Sequence, residues 1–279
     1  MTVDAVRRPT APVRAQVWTG TAWRDRPDRV ATEEPLEIRV DGPDGQGALA
    51  VVMRTPGHDF ELAVGFCVTE GVIDGRAQLG DVRYCLGPDA TQEYNVVTVG
   101  VRVPVDLEAR ARSFTAAASC GICGKATLDQ LAVDCAPIGP GPVVARDVLL
   151  GLPGLLRTEQ TIFDATGGLH GAALCTAGGT LVAVREDVGR HNAVDKLIGH
   201  ATLADELPLT ERVLVVSGRT SFEIVQKAAR ARIPVVVAVS APTSLAVATA
   251  ERFGMTLVGF VRDGAANVYA GAERIDGTR

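Results

Sequence analysis

Between Val213 and Val261 the chain alternates short, unbroken apolar runs with amphipathic stretches that carry helix-capping residues. Val213 to Val216, Val235 to Val239 and Met255 to Val261 are the apolar runs. Thr220-Ser221-Phe222-Glu223 matches a capping box, Thr243 or Ser244 opens the next helix, and Gly254 closes it. A strand that is apolar at every position has no face to give to water. These runs therefore predict parallel strands covered by helices on both faces of a sheet, an α/β architecture. Further upstream, Val148 to Leu156 reads as a helix, Gly171 to Thr176 as a small-residue segment, and Leu181 to Val184 as a strand leading into a helix through Ile198.

The first half follows a different pattern. Leu36 to Val40 alternates, Ala48 to Met53 is a buried-strand run and Asn95 to Val99 is β-branched, with one helix expected around Phe60 to Glu70. Residues 1–15, with Pro9, Pro12 and three arginines, read as a loose terminus. The segment Pro137-Ile138-Gly139-Pro140-Gly141-Pro142 is the strongest linker signal. The expected organisation is a small mixed β domain over 16–115, a cysteine-bearing loop with a short helix and linker over 116–142, and an α/β domain over 143–279. A chain of 279 residues, 47% hydrophobic, is long enough for both units.

Parallel strands bring their C-terminal ends to one edge, where ligands bind. Three loops belong at that edge: Ser217 to Thr220, Ser240 to Thr243, and Arg262 to Ala265. Small and hydroxyl residues beside helix starts suit phosphate, and Arg219, Thr220 and Arg262 are the candidate contacts. The same loops are equally ordinary βα turns, and neither a Gly-x-Gly-x-x-Gly nor a Walker motif is present. The net charge of −5 gives no reason to expect a nucleic-acid partner. No apolar run follows Arg7, Arg8 and Arg14, and Ile233 to Val239 is too short to span a bilayer, so a cytoplasmic protein with no membrane partner is expected.

Six cysteines in such a chain are expected as thiols rather than a disulfide scaffold. Cys67 and Cys175 sit in apolar company and read as small buried hydrophobes. Cys120 and Cys123, in Ser119-Cys120-Gly121-Ile122-Cys123-Gly124-Lys125, have the glycine-flanked setting of reactive thiols just before a helix start. Such a pair is half a zinc site, a disulfide oxidoreductase motif, or a carrier of sulfur on a thiolate. Structural zinc needs four ligands, yet Cys135 stands alone and the four histidines (58, 170, 191 and 200) are scattered. A thioredoxin-like motif follows the first strand of its own sheet, whereas here the α/β sheet comes afterwards. A zinc deaminase signature fails as well: His170-Gly171-Ala172 lacks the glutamate, and no Pro-Cys-x-x-Cys follows. No metal site is expected, and His170 is left as a structural or pocket-lining group.

Several further segments occur in order with that pair: Thr166-Gly167-Gly168-Leu169-His170, Glu186-Asp187-Val188-Gly189-Arg190-His191-Asn192-Ala193-Val194-Asp195-Lys196, Ser217 to Glu223, and Gly259 to Arg262. From about residue 30 to 270 the chain resembles the formate dehydrogenase accessory sulfurtransferases, the FdhD/NarQ family. The resemblance implies a sulfur carrier that takes sulfur from a cysteine desulfurase and passes it to a molybdenum or tungsten bis-pterin guanine dinucleotide, Mo-bis(molybdopterin guanine dinucleotide), on behalf of formate dehydrogenase. It also implies a homodimer and a cytidine-deaminase-like C-terminal domain, which agrees with the degenerate deaminase signature. Cys120 maps to the persulfide carrier, and Phe260, Val261, Arg262, Asp263, Gly264 and Ala265 to the segment that contacts the cofactor. Ala265-Ala266 offers no charge, so a contact there would be through backbone. The role of Cys123 stays open among receiving, protecting and resolving the sulfur.

The residues suit that chemistry. Sulfur moves between sulfurs by thiolate displacement, and Lys125 with a following helix N-terminus favours a thiolate at Cys120. The alternative from another class is a non-catalytic cofactor-binding and insertion chaperone.

Overall fold

The computed structural model describes residues 8–86, 92–106 and 135–277. The chain opens with a hairpin, β1 (Thr10–Trp18) and β2 (Trp23–Ala31), in register from Thr10↔Ala31 to Trp18↔Trp23. The loose terminus expected over residues 1–15 is thus a paired strand from Thr10 onwards. Charged residues along β2 obscure its alternation, because almost none of that strand is buried.

A four-stranded sheet follows, built from β3 (Glu34–Gly42), β4 (Gly45–Arg54), β5 (Leu79–Leu86) and β6 (Gln92–Val101) in the order β4-β3-β6-β5. Leu36, Ile38 and Val40 alternate inward from β3, as a half-buried strand requires. They cover helix α1 (Asp59–Thr69), which is buried from Leu62 to Thr69.

The second sheet holds β8 (His170–Thr176), β9 (Leu181–Asp187), β10 (Arg212–Val216), β11 (Val235–Ala238), β12 (Thr256–Arg262) and β13 (Ala265–Ala270), in the order β13-β12-β11-β10-β8-β9. Two short strands, β7 (Val144–Ala145) and β14 (Ile275–Asp276), pair separately. The continuous apolar runs form the parallel centre β10-β11-β12, and antiparallel β8, β9 and β13 extend it on both sides. Within each run successive residues divide between two cores. Leu214, Val216, Val236 and Ala238 face one side, and Val213, Val215, Val235 and Val237 face the other. The small-residue segment 171–176 is itself β8, a strand buried over Gly171 to Cys175.

Helix α2 (Arg146–Glu159) covers one face through Leu149, Leu152 and Leu156, with short α3 (Thr161–Thr166) after it. Helices α4 (Arg190–Leu203), α5 (Phe222–Arg230) and α6 (Ser244–Arg252) cover the other. Helix α1 packs directly on α4, so the order of layers is four-stranded sheet, α1, α4, six-stranded sheet, α2. One continuous core joins both sheets, and Ile138 of the Pro/Gly-rich segment is buried in it.

Candidate functional site

The topology carries the motif segments to one edge. β10 and β11 run parallel and end at Val216 and Ala238, β8 runs antiparallel to β10 and so begins there with His170, and β9 ends there at Asp187 before α4 starts at Arg190. The loops are laced together by backbone. The Thr220 amide donates to the Ala241 carbonyl at 3.2 Å, Thr243 to the Thr220 carbonyl at 3.0 Å, and Phe260 to the Ser240 carbonyl at 3.2 Å. Ser217 fixes the start of β8 by accepting from the Gly171 amide on its Oγ at 2.9 Å.

Between this edge, α2 and α3 lies a cavity of about 730 Å³. Leu156, Phe163, Leu169 and Val261 give it apolar walls, and Gln160, His170, Ser217, Arg262 and Asp263 supply polar groups. That is the composition and size of a small-molecule site, about 300–1,000 Å³. Burial first, and then the nearby Arg190 guanidinium, push the His170 imidazole below its ordinary range, so it is neutral at pH 7.

On the other side of the loop Ser217 to Thr220, α4 and α5 begin beside each other. His191 Nε2 lies 3.2 Å from Ser221 Oγ and 3.7 Å from Glu223. Burial, then the charges of Lys227 and Arg190, hold His191 neutral with a value of about 4. Ser221 is the N-cap of α5 but makes no side-chain cap bond, so the capping box read from the sequence does not form. Its hydroxyl is engaged by His191 and Glu223 instead. Thr243 does cap α6, accepting from the Ala246 amide at 3.3 Å.

The remaining polar residues of the Glu186 to Lys196 segment point into the molecule. Lys196 Nζ is 2.7 Å from Asp187 and donates to the Thr55 carbonyl at 3.0 Å. Asn192 donates to the Met53 carbonyl at 2.8 Å and to Asp187 at 2.9 Å. Asp195 accepts from Thr69 at 2.8 Å and pairs with Lys227 at 2.9 Å. These groups fasten β4 and α1 to the edge and thereby place Arg190 and His191.

Of the residues expected at the site, Val261, Arg262 and Asp263 line the cavity. Phe260 is half-buried at φ 53°, with the Arg262 guanidinium 5.9 Å from its ring centre. Gly264 and Ala265 belong to the exposed β12–β13 turn. This third loop therefore closes a hairpin and does not open a helix, which removes the dipole argument there. Arg219 is exposed and Thr220 fully buried, and neither lines the cavity. Cys120, Cys123 and Lys125 lie outside the described residues. Cys67 and Cys175 are fully buried, as their apolar neighbours suggested. Sequence reasoning missed the wall formed by α2, Gln160 and Phe163. The one available signal was Gly151, Pro153 and Gly154 inside an amphipathic helix, where small residues leave room for a ligand.

The FdhD/NarQ family model matches residues 31–276. The sulfur carrier protein FdhD of Streptomyces coelicolor is 53% identical over 260 residues, covering 90% of each chain. That of Mycolicibacterium paratuberculosis is 49% identical over 259 residues, 90% of this chain and 93% of its own. That of Sulfurisphaera tokodaii is 44% identical over 248 residues, 89% of this chain and 92% of its own. A crystal structure from Desulfotalea psychrophila, described as a formate dehydrogenase accessory protein, superposes with a TM-score of 0.74 at 24% identity over 95% of this chain and 99% of that one. That likeness is one of fold.

Proposed function

The chain belongs to the FdhD/NarQ family, and from that premise we propose that it carries sulfur on Cys120 from a cysteine desulfurase to a bis-pterin guanine dinucleotide of molybdenum or tungsten destined for formate dehydrogenase. The observation that carries the reading is the cavity at the C-terminal edge of the parallel strands, into which the family's motif segments bring His170, Ser217, Arg262 and Asp263.

In the first step the Cys120 thiolate attacks the outer sulfur of the donor's persulfide. A bond forms from Cys120 Sγ to that sulfur, the donor's own sulfur–sulfur bond breaks, and the donor leaves as a thiolate. In the second step the outer sulfur passes to the metal of the bound substrate, which supplies the electron pair for the new bond, and Cys120 departs as a thiolate. The cavity accommodates one nucleotide arm of that substrate. Its apolar walls suit a flat ring, Arg262 suits a diphosphate, and the Asp263 carboxylate suits the N–H donors on the guanine edge. A neutral His170 can donate a hydrogen bond there without adding a fixed charge.

Two measurements test the reading. Cys120→Ala is expected to lose persulfide formation on incubation with desulfurase and cysteine, followed by mass spectrometry, while still binding guanosine diphosphate. Persulfide on a different cysteine would overturn the assignment. Arg262→Ala and Asp263→Asn are expected to weaken guanosine diphosphate binding by about tenfold each, the scale of one charge-assisted contact. If the nucleotide binds both variants as it binds the wild type, the cavity is not its site. Retained formate dehydrogenase maturation with both Cys120 and Cys123 replaced by alanine would favour the insertion chaperone instead.

A further inference from the structure

The β1–β2 hairpin supplies no lining residue to the cavity just described. It spans Thr10 to Ala31, so all but its last residue precede the stretch matched by the family model. Its packing on the body is against α3, where Pro12, Pro27 and Arg29 lie beside Ala165. A two-stranded hairpin is at best marginally stable in water on its own. This one nevertheless extends to a tip where Trp18 and Trp23 stand 54% and 65% exposed, with ring centres 5.5 Å apart.

Its surface has the composition of an interface. On the face that carries Ala11, Val13, Ala15, Val17 and Val30, the valines at 13 and 30 are exposed. Arg24 and Arg26 are cross-strand neighbours of Val17 and Ala15 on that same face, with Asp28 opposite Val13 and 3.7 Å from Arg26, which leaves Arg24 as the uncompensated charge nearest the tip. The hairpin holds four arginines against two aspartates, a net charge of +2 on a chain of −5. The Trp18–Trp23 pair belongs to the opposite face, so tryptophans, arginines and apolar groups come together only at the tip, around Trp18, Trp23, Val17 and Arg24. Exposed tryptophans and arginines anchor protein–protein contacts, and the excess of positive charge selects an acidic partner. The base of the hairpin also reaches the cavity. Ala31 lies against Gly168, and Gly168 and Phe163 both line it.

We propose that this hairpin is a docking arm for the protein that donates sulfur, engaging an acidic surface of the donor with its tryptophan tip and arginines. The inference rests on the sulfur-carrier reading. A nucleotide-bearing substrate can diffuse into a cavity, but a persulfide on a donor protein reaches Cys120 only if the donor itself docks. Because the arm is rooted beside α3, at the wall of the cavity, a partner held on its tip is tethered on that side of the molecule.

The test uses the full chain and a purified cysteine desulfurase loaded with persulfide. Two variants are compared with the wild type: Trp18→Ala with Trp23→Ala, and the exposed charge reversal Arg24→Glu with Arg26→Glu. Both are expected to weaken desulfurase binding by about tenfold or more, with slowed persulfide formation on Cys120 that recovers at high donor concentration. Guanosine diphosphate binding and the thermal midpoint should be unchanged for the charge reversal, which judges the proposal even if the double tryptophan variant misfolds. Wild-type donor affinity and sulfur uptake in the charge-reversal variant would overturn it. So would a changed oligomeric state with intact donor binding, which would assign the arm to a second copy of the chain, or selective loss of formate dehydrogenase binding. If the wild type takes no sulfur from desulfurase, the underlying sulfur-carrier reading fails instead, so the two failures are distinguishable.

Discussion

Lys196 and Asp187 face each other at 2.7 Å with 2% and 0% of their side chains exposed, so neither charge has access to water. Breaking such a pair from one side strands the other charge, at a cost of about 3–5 kcal/mol. Lys196→Met is therefore expected to lower the unfolding free energy measured by chemical denaturation by an amount in that range, and a loss under about 1 kcal/mol would show that Asp187 finds other compensation. Glu61 offers a titrating counterpart. Burial pushes its carboxyl up, but the Arg185 guanidinium and then His58 hold it down at about 2. A carboxylate depressed on folding stabilises the native state above its unfolded value near 4.5, and that contribution is lost as pH falls towards 2. His191, held near 4, adds a loss that begins higher, as pH falls through about 6.5, because the unfolded chain binds the proton more readily. Asp195, pushed up to about 6 by burial, gains stability as pH falls through that value and offsets the His191 loss, so thermal midpoints should fall chiefly below 4.5. Glu61→Gln should flatten the lower limb, and an unchanged acid profile in that variant would contradict the assignment.

The crossing of α1 and α4 depends on two glycines. A Cβ on Gly65 would lie 1.8 Å from the Asp195 carbonyl oxygen, and one on Gly199 would lie 1.8 Å from that of Glu61. The obstacle in both cases is helix backbone, which cannot rotate away as a side chain can. Gly65→Ala or Gly199→Ala should cost about 3 kcal/mol or more, beyond the usual overpacking penalty, whereas alanine at Gly151, where nothing lies within 4 Å, should not. Chemical denaturation of the three variants separates these outcomes. Beside the crossing the polar residues of α4 tie the layers together: Asp195 accepts from Thr69 of α1, Asn192 donates to the Met53 carbonyl of β4, and Lys196 to the carbonyl of Thr55 just after that strand.

Across the whole molecule the four-stranded and six-stranded sheets share one core through α1 and α4. Heating should therefore give a single calorimetric transition, and two resolved transitions would show that the halves are independently stable. Guanosine diphosphate at a hundred times its dissociation constant should add about 2.7 kcal/mol. For a chain of this length that raises the midpoint by roughly 5 °C, and no shift would count against a nucleotide site. Among the described residues no helix is long and apolar enough to cross a membrane.

Local patterns in the sequence determined what depends on neighbours a few residues away. Unbroken apolar runs such as Val235 to Val239 predicted buried strands, and the Thr243 cap and the Gly254 stop located α6, because propensity and capping act within one turn. The thiol pair and the arginines at the edge were visible as residue types for the same reason. What only the tertiary structure decided is which distant groups meet. The hydroxyl of Ser221 is taken by His191 rather than its own helix, Gln160 and Phe163 of a separate helical wall complete the cavity, and Gly65 meets Gly199 across 134 positions. Those outcomes follow from strand order and layer packing, which balance contacts between residues far apart in the chain and leave no periodic trace in it.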